Sequence, residues 1–472
     1  MVVGDIAQNV QTVIIGTGPA GYVAAIRAAQ LGLEVVLIER GEVGGICLHA
    51  GCISSKALIQ AANAIGTLAQ ATEMGVELER HAFNMQKHQA WKASIQQKLT
   101  RGISALLAAN GVTVVKGTAL FMSEDRIAVE TEQGMEYYRF EAGIIATGSR
   151  PQPLPNLPFD GLHILSSTEA LRLTELPKRL LIIGGDCIGL ELGTAFAKLG
   201  TEVIIACSES DILQGFDHSL VQIVKKNMRR AGITLLTQAE VCGHTIEEGT
   251  VCVTLQQGGV EKKIAADKVL VTVGRRPNTE GLDLDRAGLS TDEHGFLTTD
   301  HQGRTANRNL FAIGDVTHGP LLAHRASREG MIAAEAIAGR NSAKDMACMP
   351  TVLFTDPEIA TVGLTEAEAH AQGIAVTVGQ FPFAASGRAL TLGRGEGFCR
   401  IIAEQDSRVV LGVHIVGAEA SSLVGEAALA IEMGATLEDI SLTLHPHPTL
   451  TETLMEAAAD AQGIAIHVAK RR

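Results

Sequence analysis

The sequence predicts an α/β protein with two Rossmann-like dinucleotide-binding units and a separate α+β domain at its C-terminal end. Three observations carry this. Residues 12–40 read strand, glycine turn, alanine-rich helix, strand. Residues 180–210 repeat that pattern. From about Ala347 the chain changes to short alternating strands and alanine-rich helices.

The first unit is "TVIIGTGPAGYVAAIRAAQLGLEVVLIER". Gly16-x-Gly18-x-x-Gly21 follows an apolar strand and opens a helix, the context a dinucleotide fingerprint requires. The first glycine permits the tight turn, the second lets backbone approach a pyrophosphate, and the third lets helix pack on strand. The helix N-terminus faces the phosphates. Glu39, at the end of the second strand, is the acid expected on a ribose.

Next comes "AGIIATGSRP", a strand running into a glycine turn at Ala146, Thr147 and Gly148. Pro151, Pro153, Pro155 and Pro158 then mark a linker. The second unit, "LLIIGGDCIGLELGTAFAKLGTEVIIACSES", aligns Gly184 with Gly16 and Gly189 with Gly21. Gly16 and Glu39 lie 23 residues apart, as do Gly184 and Cys207. Two functional positions differ: Asp186 replaces the close-approach glycine, and Cys207 replaces the acid. "KVLVTVGRRPN" echoes the earlier exit strand and closes this unit. "NLFAIGDVTHGPLLAHRASREG" then gives a further strand, Gly314-Asp315 and a helix, a setting that suits a cofactor's polyol or phosphate.

Composition sets the outer limits. A chain of 472 residues, 46% apolar and 19% charged, has room for several cores. A net charge of −13 without a long basic run gives a nucleic-acid role little support. "MVVGDIAQNVQT" lacks the basic start and apolar run of a signal peptide, and no apolar stretch is clean enough for a membrane span. The expectation is a cytoplasmic protein. Eight cysteines in such a length are too sparse for a disulfide framework.

Two of them stand out. In "GGICLHAGCISSKAL", Cys47 and Cys52 are five apart among Gly44, Gly45 and Gly51, with Lys56 four residues on. A zinc site would want four ligands, and no second cluster complements this pair. A disulfide needs Cα atoms within about 7 Å. Five residues of regular helix rise about 7.5 Å. Bonding therefore requires a distorted turn, which the three glycines permit. On the residues alone, paired buried thiols stay open beside a redox pair.

Along its whole length the chain resembles the pyridine nucleotide–disulfide oxidoreductases. The residues that carry this are Gly16-x-Gly18-x-x-Gly21, Cys47-x4-Cys52, "ATG" at 146–148, "GRRPN" at 274–278, Gly314-Asp315 and "HPHPTLTE" at 445–452. The likeness is greatest to members that oxidise dihydrolipoyl groups, including those of branched-chain 2-oxo acid complexes. It implies FAD on the first unit, NAD on the second, and a homodimer joined through the C-terminal domain. The implied partners are lipoyl domains of the acyltransferase components of 2-oxo acid dehydrogenase complexes. The implied domains are 1–149 (FAD-binding, first part), 150–277 (NAD-binding), 278–346 (FAD-binding and central, second part) and 347–472 (dimerisation).

Roles follow from the same resemblance. Cys47 is the thiol that exchanges with substrate, and Cys52 is the thiol in charge transfer with the flavin. Lys56 sits near the flavin, paired with Glu191. His447 is the base, oriented by Glu452, and reaches the disulfide of the other subunit; His445 is structural. FAD contacts are expected at Gly16, Gly18, Pro19, Ala20, Gly21, Glu39, Arg40, Gly45, Ile46, Lys56 and Gly117. They continue at Ala146, Thr147, Gly148, Gly314, Asp315, Leu322, Ala323 and His324. NAD contacts are expected at Gly184, Gly185, Asp186, Cys187, Ile188, Gly189, Cys207, Val241 and Gly274. No metal ligand is expected.

The cysteine loop departs from the family's "GGTCLNVGCIPSKAL" at Ile46, His49, Ala50 and Ser54. His49 reads as a solvated residue, the competing reading being a positive charge that favours thiolate. Two rivals accompany the main reading. One is a relative that reduces another disulfide, such as glutathione disulfide, with NADPH. "HPTLTE" and the lack of arginine after Cys207 speak against it. The other is a regulatory flavoprotein with a decayed nicotinamide site, supported by Asp186 and Cys207 alone. Those two residues predict a weak NAD site. Cys187 and Cys207, read at neighbouring strand ends, are expected as buried free thiols rather than a disulfide switch.

Overall fold

The computed structural model describes residues 7–77 and 82–469; residues 1–6 of the stretch read for a signal peptide, and 470–472, lie outside them. The first unit is organised on β1 (Gln8–Ile15), whose Val13, Ile14 and Ile15 are buried on both faces of the sheet. After the glycine turn, α1 (Pro19–Gln30) crosses to β2 (Val35–Glu39), which lies parallel to β1. Three helices follow: α2 (Gly45–His49), α3 (Cys52–Gln70) and the long α4 (Met85–Ala109). They return the chain to β3 (Thr113–Lys116), parallel to β2. An antiparallel meander comes next, of β4 (Thr118–Ser123), β5 (Arg126–Thr131) and β6 (Gly134–Ile145). The far end of β6 runs parallel to β1 and so joins meander and Rossmann sheet.

The chain leaves through β7 (Ser149–Pro151). The second unit contains β8 (Ile164–Leu165), α5 (Ser167–Ala170), β9 (Arg179–Ile183), α6 (Cys187–Lys198), β10 (Glu202–Ala206), α7 (His218–Arg230) and β11 (Thr234–Leu236). A second meander, β12 (Ala239–Glu247), β13 (Thr250–Gln257) and β14 (Val260–Ala266), precedes β15 (Lys268–Val271). The parallel sheet has the order β11-β10-β9-β15-β8. The return strand β16 (Arg275–Pro277) pairs antiparallel with β7, so the unit begins and ends on one two-stranded ribbon.

Back in the first unit, β17 (Leu310–Ala312) adds to β6, and α8 (Ala323–Ile337) packs on α1. That packing is close. A Cβ on Gly330 would stand 2.5 Å from the Ala20 carbonyl oxygen, and small alanines line both helices. It fixes the 314–323 segment beside the amide end of α1.

The last domain is an antiparallel sheet of β18 (Thr351–Leu353), β19 (Glu358–Gly363), β20 (Val376–Pro382), β21 (Phe398–Glu404) and β22 (Val410–Gly417), ordered β18-β19-β22-β21-β20. Short helices α9 (Glu366–Ala371) and α10 (Gly387–Thr391) connect its strands; α11 (Ala420–Glu432) and α13 (Glu452–Ala461) cover one face, with α12 (Leu437–Leu442) between them. The α/β class with a distinct C-terminal α+β domain is as the sequence predicts. Among the described residues no helix is long and apolar enough to cross a membrane.

Candidate active site

The first glycine turn is built by close contacts. Gly16 has φ +102°, and a Cβ on it would lie 2.4 Å from the Ala146 carbonyl oxygen. Gly21 is tighter still, with a Cβ 1.8 Å from the Gly16 oxygen. Gly18 is different: a Cβ there would meet nothing within 4 Å, and no side chain caps α1. Pro19 begins the helix and Ala20 is buried under it. The amide end of α1 therefore looks onto open space, the shape of an anion site. Glu39 stands beside it, accepting the Thr17 N–H at 2.9 Å and hydroxyl at 2.5 Å, while its other oxygen takes the Gly41 N–H at 2.8 Å. Gly117 donates its N–H to the Glu39 carbonyl at 2.9 Å, and Arg40 is exposed next to it.

The cysteine loop lies on this turn. The Gly44 N–H meets the carbonyl and hydroxyl oxygens of Thr17, both at 3.2 Å. A Cβ on Gly45 would come within 2.7 Å of Gly18 Cα. Gly44, at φ +110°, starts α2, which lasts five residues, with Ile46 exposed on it. The helix breaks at Ala50 and Gly51 and restarts at Cys52. The break brings the Cα atoms of Cys47 and Cys52 to 4.7 Å, and a disulfide joins them. This is the distorted turn that the glycines permit.

Sequence reading missed the support under this loop. Ser54, fully buried, donates its hydroxyl to the His49 carbonyl at 3.0 Å. Gln96 of α4 donates to that carbonyl at 2.8 Å and to the Ser54 hydroxyl at 2.9 Å. His49 is not the solvated residue expected. It is half-buried, its Nε2 on the Val43 carbonyl at 2.9 Å, because α4 covers the loop on this side. An amide on a polar helix carries no sequence signal for such a role.

Lys56, one turn into α3, reaches Glu191 of α6 at 2.9 Å and lies 4.4 Å from the Phe354 ring centroid. The other Glu191 oxygen accepts the Phe354 N–H at 2.9 Å. The pair thus ties all three domains. Asp315 accepts the Ser149 hydroxyl at 2.6 Å, and that hydroxyl accepts Arg275 Nε at 2.8 Å. Burial holds Arg275 below the usual guanidinium range, against the pull of Asp315. Asn278 grips the "ATG" turn, taking the Thr147 hydroxyl at 2.7 Å and donating to the Gly148 carbonyl at 2.8 Å. Gly314 donates to the buried Glu329 at 2.7 Å. Leu322 caps α8 and Ala323 opens it, both half-buried, while the His324 ring is occupied by the Pro350 carbonyl at 2.8 Å.

In the second unit Gly184 repeats the turn at φ +127°, and a Cβ on Gly189 would lie 2.7 Å from the Gly184 oxygen. Asp186 is exposed at the start of α6, with Ile188 half-buried behind it. Cys187 opens α6 rather than ending a strand, and it and Cys207 are both free thiols. Gly274 is exposed after β15, its carbonyl accepting the Gln152 N–H at 3.0 Å. Val241 of β12 is half-buried and packs against the core of this unit.

His447 lies apart from the cysteines. Its Nδ1 bonds Glu452 at 2.9 Å, its side chain is 80% exposed, and no hydrogen bond among the described residues links it to the cysteine loop. For Glu452, burial raises the carboxyl, but the Thr449 N–H and His447 outweigh it and hold it below the usual range. His445 has a side chain 4% exposed and is bonded to Glu426 at 2.8 Å.

A redox disulfide resting on one nucleotide turn, with a second such turn in the same chain, agrees with the comparisons. Residues 10–330 match the model of the pyridine nucleotide-disulphide oxidoreductases, and residues 349–458 match the dimerisation domain of that family. The dihydrolipoyl dehydrogenase of Geobacillus stearothermophilus is 48% identical over 99% of both chains. The dihydrolipoyl dehydrogenase of Haloferax volcanii is 47% identical over the full length of each. Among solved structures, LpdA from Mycobacterium tuberculosis has a TM-score of 0.89 at 28% identity, covering 95% of this chain and 99% of its own. The HOCl-induced flavoprotein disulfide reductase RclA from Escherichia coli has 0.85 at 26%, covering 95% and 99%. Enzymes of this kind use FAD and NAD(H), and by its two matched regions and its full-length relatives this chain belongs to the pyridine nucleotide-disulphide oxidoreductase family.

Proposed function

We propose that the chain is an FAD-dependent dihydrolipoyl dehydrogenase acting as a homodimer. Its substrates are dihydrolipoyl groups on the lipoyl domains of 2-oxo acid dehydrogenase complexes, and its acceptor is NAD. The observation that carries this is the Cys47–Cys52 disulfide docked on the Gly16–Gly21 turn through Gly44 and Gly45. FAD, when bound, supplies the two-electron carrier between the thiol pair and NAD. The residues fit it: the uncapped end of α1 suits the pyrophosphate, Glu39 the ribose and Asp315 the polyol.

The chemistry of the chain's own groups follows. A substrate thiolate attacks Cys47 Sγ, and Cys52 leaves as thiolate. The second substrate thiol then displaces Cys47, closing the substrate disulfide and leaving both cysteines reduced. His447 Nε2 accepts the thiol proton, while Glu452 on Nδ1 fixes the ring and stabilises its charged form. Lys56, held by Glu191, keeps a cation next to the flavin subsite.

The exposure of His447 supports a site completed by a partner subunit. Leu442 and Leu444, 73% and 96% exposed, lie just before it on the dimerisation domain. Apolar side chains so open suit a surface covered by another chain. Steady-state assay tests the reading: the purified protein should reduce NAD with dihydrolipoamide. Reduction of glutathione disulfide with NADPH, and no dihydrolipoamide turnover, would overturn it.

A further inference from the structure

The two nucleotide units contain an internal control. Both helices that follow a glycine turn are twelve residues long, and both begin from extended backbone: φ −63°, ψ −178° at Gly18, and φ −103°, ψ 178° at Asp186. At Gly18 a side chain would project into empty space, and the first amides of α1 have no side-chain cap. At Asp186 a side chain is present. Its carboxylate folds onto the helix and accepts the Cys187 N–H at 2.8 Å, with the Cys187 thiol also on it at 3.2 Å. An anion is thus already placed where the other unit offers bare amides.

The ribose side has changed in a matched way. Thr17 and Glu39 of the first unit become Gly185 and Cys207 in the second. Thr17 gives Glu39 two hydrogen bonds and so aims its carboxylate. Gly185 gives room instead: a Cβ there would lie 3.0 Å from Cys207 Cβ and 3.1 Å from its Sγ. Cys207 is 2% exposed and collapsed against that backbone, so its sulfur is not offered to a ribose hydroxyl. The next residues, Ser208, Glu209, Ser210 and Asp211, bring acids, and Asp211 is tied to Lys225 at 2.8 and 3.0 Å. No free cation in that loop meets a 2′-phosphate.

We infer that the second unit holds NAD weakly by construction. Asp186 competes with the pyrophosphate for the amide end of α6, and Cys207 leaves the adenosine ribose without its acceptor. NADP binds more weakly still, because the loop after Cys207 carries Glu209 and no Lys or Arg to offset its extra charge. The inference rests on the reading of this unit as the NAD site.

Binding of NADH and NAD to the holoenzyme, by calorimetry or fluorescence quenching, tests it. Asp186→Gly with Cys207→Glu should tighten the dissociation constant at least tenfold. Asp186→Asn keeps a capping oxygen but loses the charge, and should gain part of that; it also serves if the glycine variant folds poorly. Near 1 M salt, where the screening length is about 3 Å, the gap between wild type and Asp186→Asn should shrink. A gain of less than tenfold in the double variant would overturn the inference. Reduction of the bound flavin by dihydrolipoamide needs no NAD. A wild-type protein that fails that step fails the proposed function instead, whatever its NAD affinity.

Discussion

The cysteine loop and the His447 turn make up one proposed reaction but are held in opposite ways. The loop is anchored on every side: Gly44 on Thr17, Ser54 and Gln96 on the His49 carbonyl, Lys56 on Glu191. Among the described residues His447 has one side-chain hydrogen bond, to Glu452, and an open face. A redox pair must keep its sulfurs within bonding reach through reduction and reoxidation, so its backbone is fixed from three elements. A proton acceptor needs only its ring aimed, and its free edge must stay available. The difference implies that the loop is complete within one chain, whereas the base is completed by whatever covers it.

Four predictions sharpen or break this contrast, the largest effect first. Cys52→Ser should reduce dihydrolipoamide turnover to background and abolish the long-wavelength charge-transfer band of the reduced enzyme. Cys47→Ser should show that band without any reductant. A band surviving in the Cys52 variant would reverse the assignment of the two sulfurs.

His447→Gln should lower lipoamide turnover at least ~10²-fold, the scale of a lost general base. Reduction of one-electron dyes by NADH bypasses the thiols and should persist. Equal loss of both activities would mean that the turn matters for assembly rather than proton transfer.

Glu452→Gln should cost less, about tenfold, since the imidazole stays while its aim and charge stabilisation weaken. The pH dependence has a definite sign. Glu452 is held below the usual carboxylate range in the fold, so its contribution is full above that range and lost as pH falls through the lowered value. The acid limb of the turnover profile should therefore change in the variant, and an unchanged limb would remove Glu452 from the proton path.

The smallest effect on rate belongs to Gln96→Leu, a few-fold at most. It removes two hydrogen bonds while the Ser54–His49 bond stays, at about 0.5–1.5 kcal/mol each. Melting temperature should drop, and the potential of the cysteine pair should shift as its turn loosens. A lower melting temperature with an unmoved potential would make Gln96 structural only.

Much of this was legible in the chain because the signals are local. The glycine turns, the five-residue spacing of the cysteines and the five-residue spacing of His447 and Glu452 all lie within single supersecondary units. The strands and helices around them follow from apolar periodicity. What escaped reading is long-range: Gln96 meets Ser54 across 42 residues, and Glu191 meets the Phe354 N–H across 163. Lys56–Glu191 was anticipated only through the family resemblance. Gln96, Ser149 and Phe354 had no such guide, being residue types that usually serve on surfaces or in cores. His49 was misread for the same reason. Nothing in the adjoining sequence marks it, and only the fold lays α4 against it.

The ribbon of β7 and β16 bears on how such a protein can be taken apart. Arg150 faces Arg276 across it, with Pro151 opposite Arg275, so the start and finish of the second unit are fixed side by side. A domain whose ends lie together behaves as an insert in its host, and hosts tolerate exchange at such points. Residues 152–274 amount to a cassette. A short turn joining Pro151 to Arg275 would keep the Ser149–Arg275 and Thr147–Asn278 clasps of the first unit. A nucleotide unit borrowed from elsewhere would meet the same two anchored strands, but it would also have to carry the Glu191 partner of Lys56 and the α6 face that shares a core with α3.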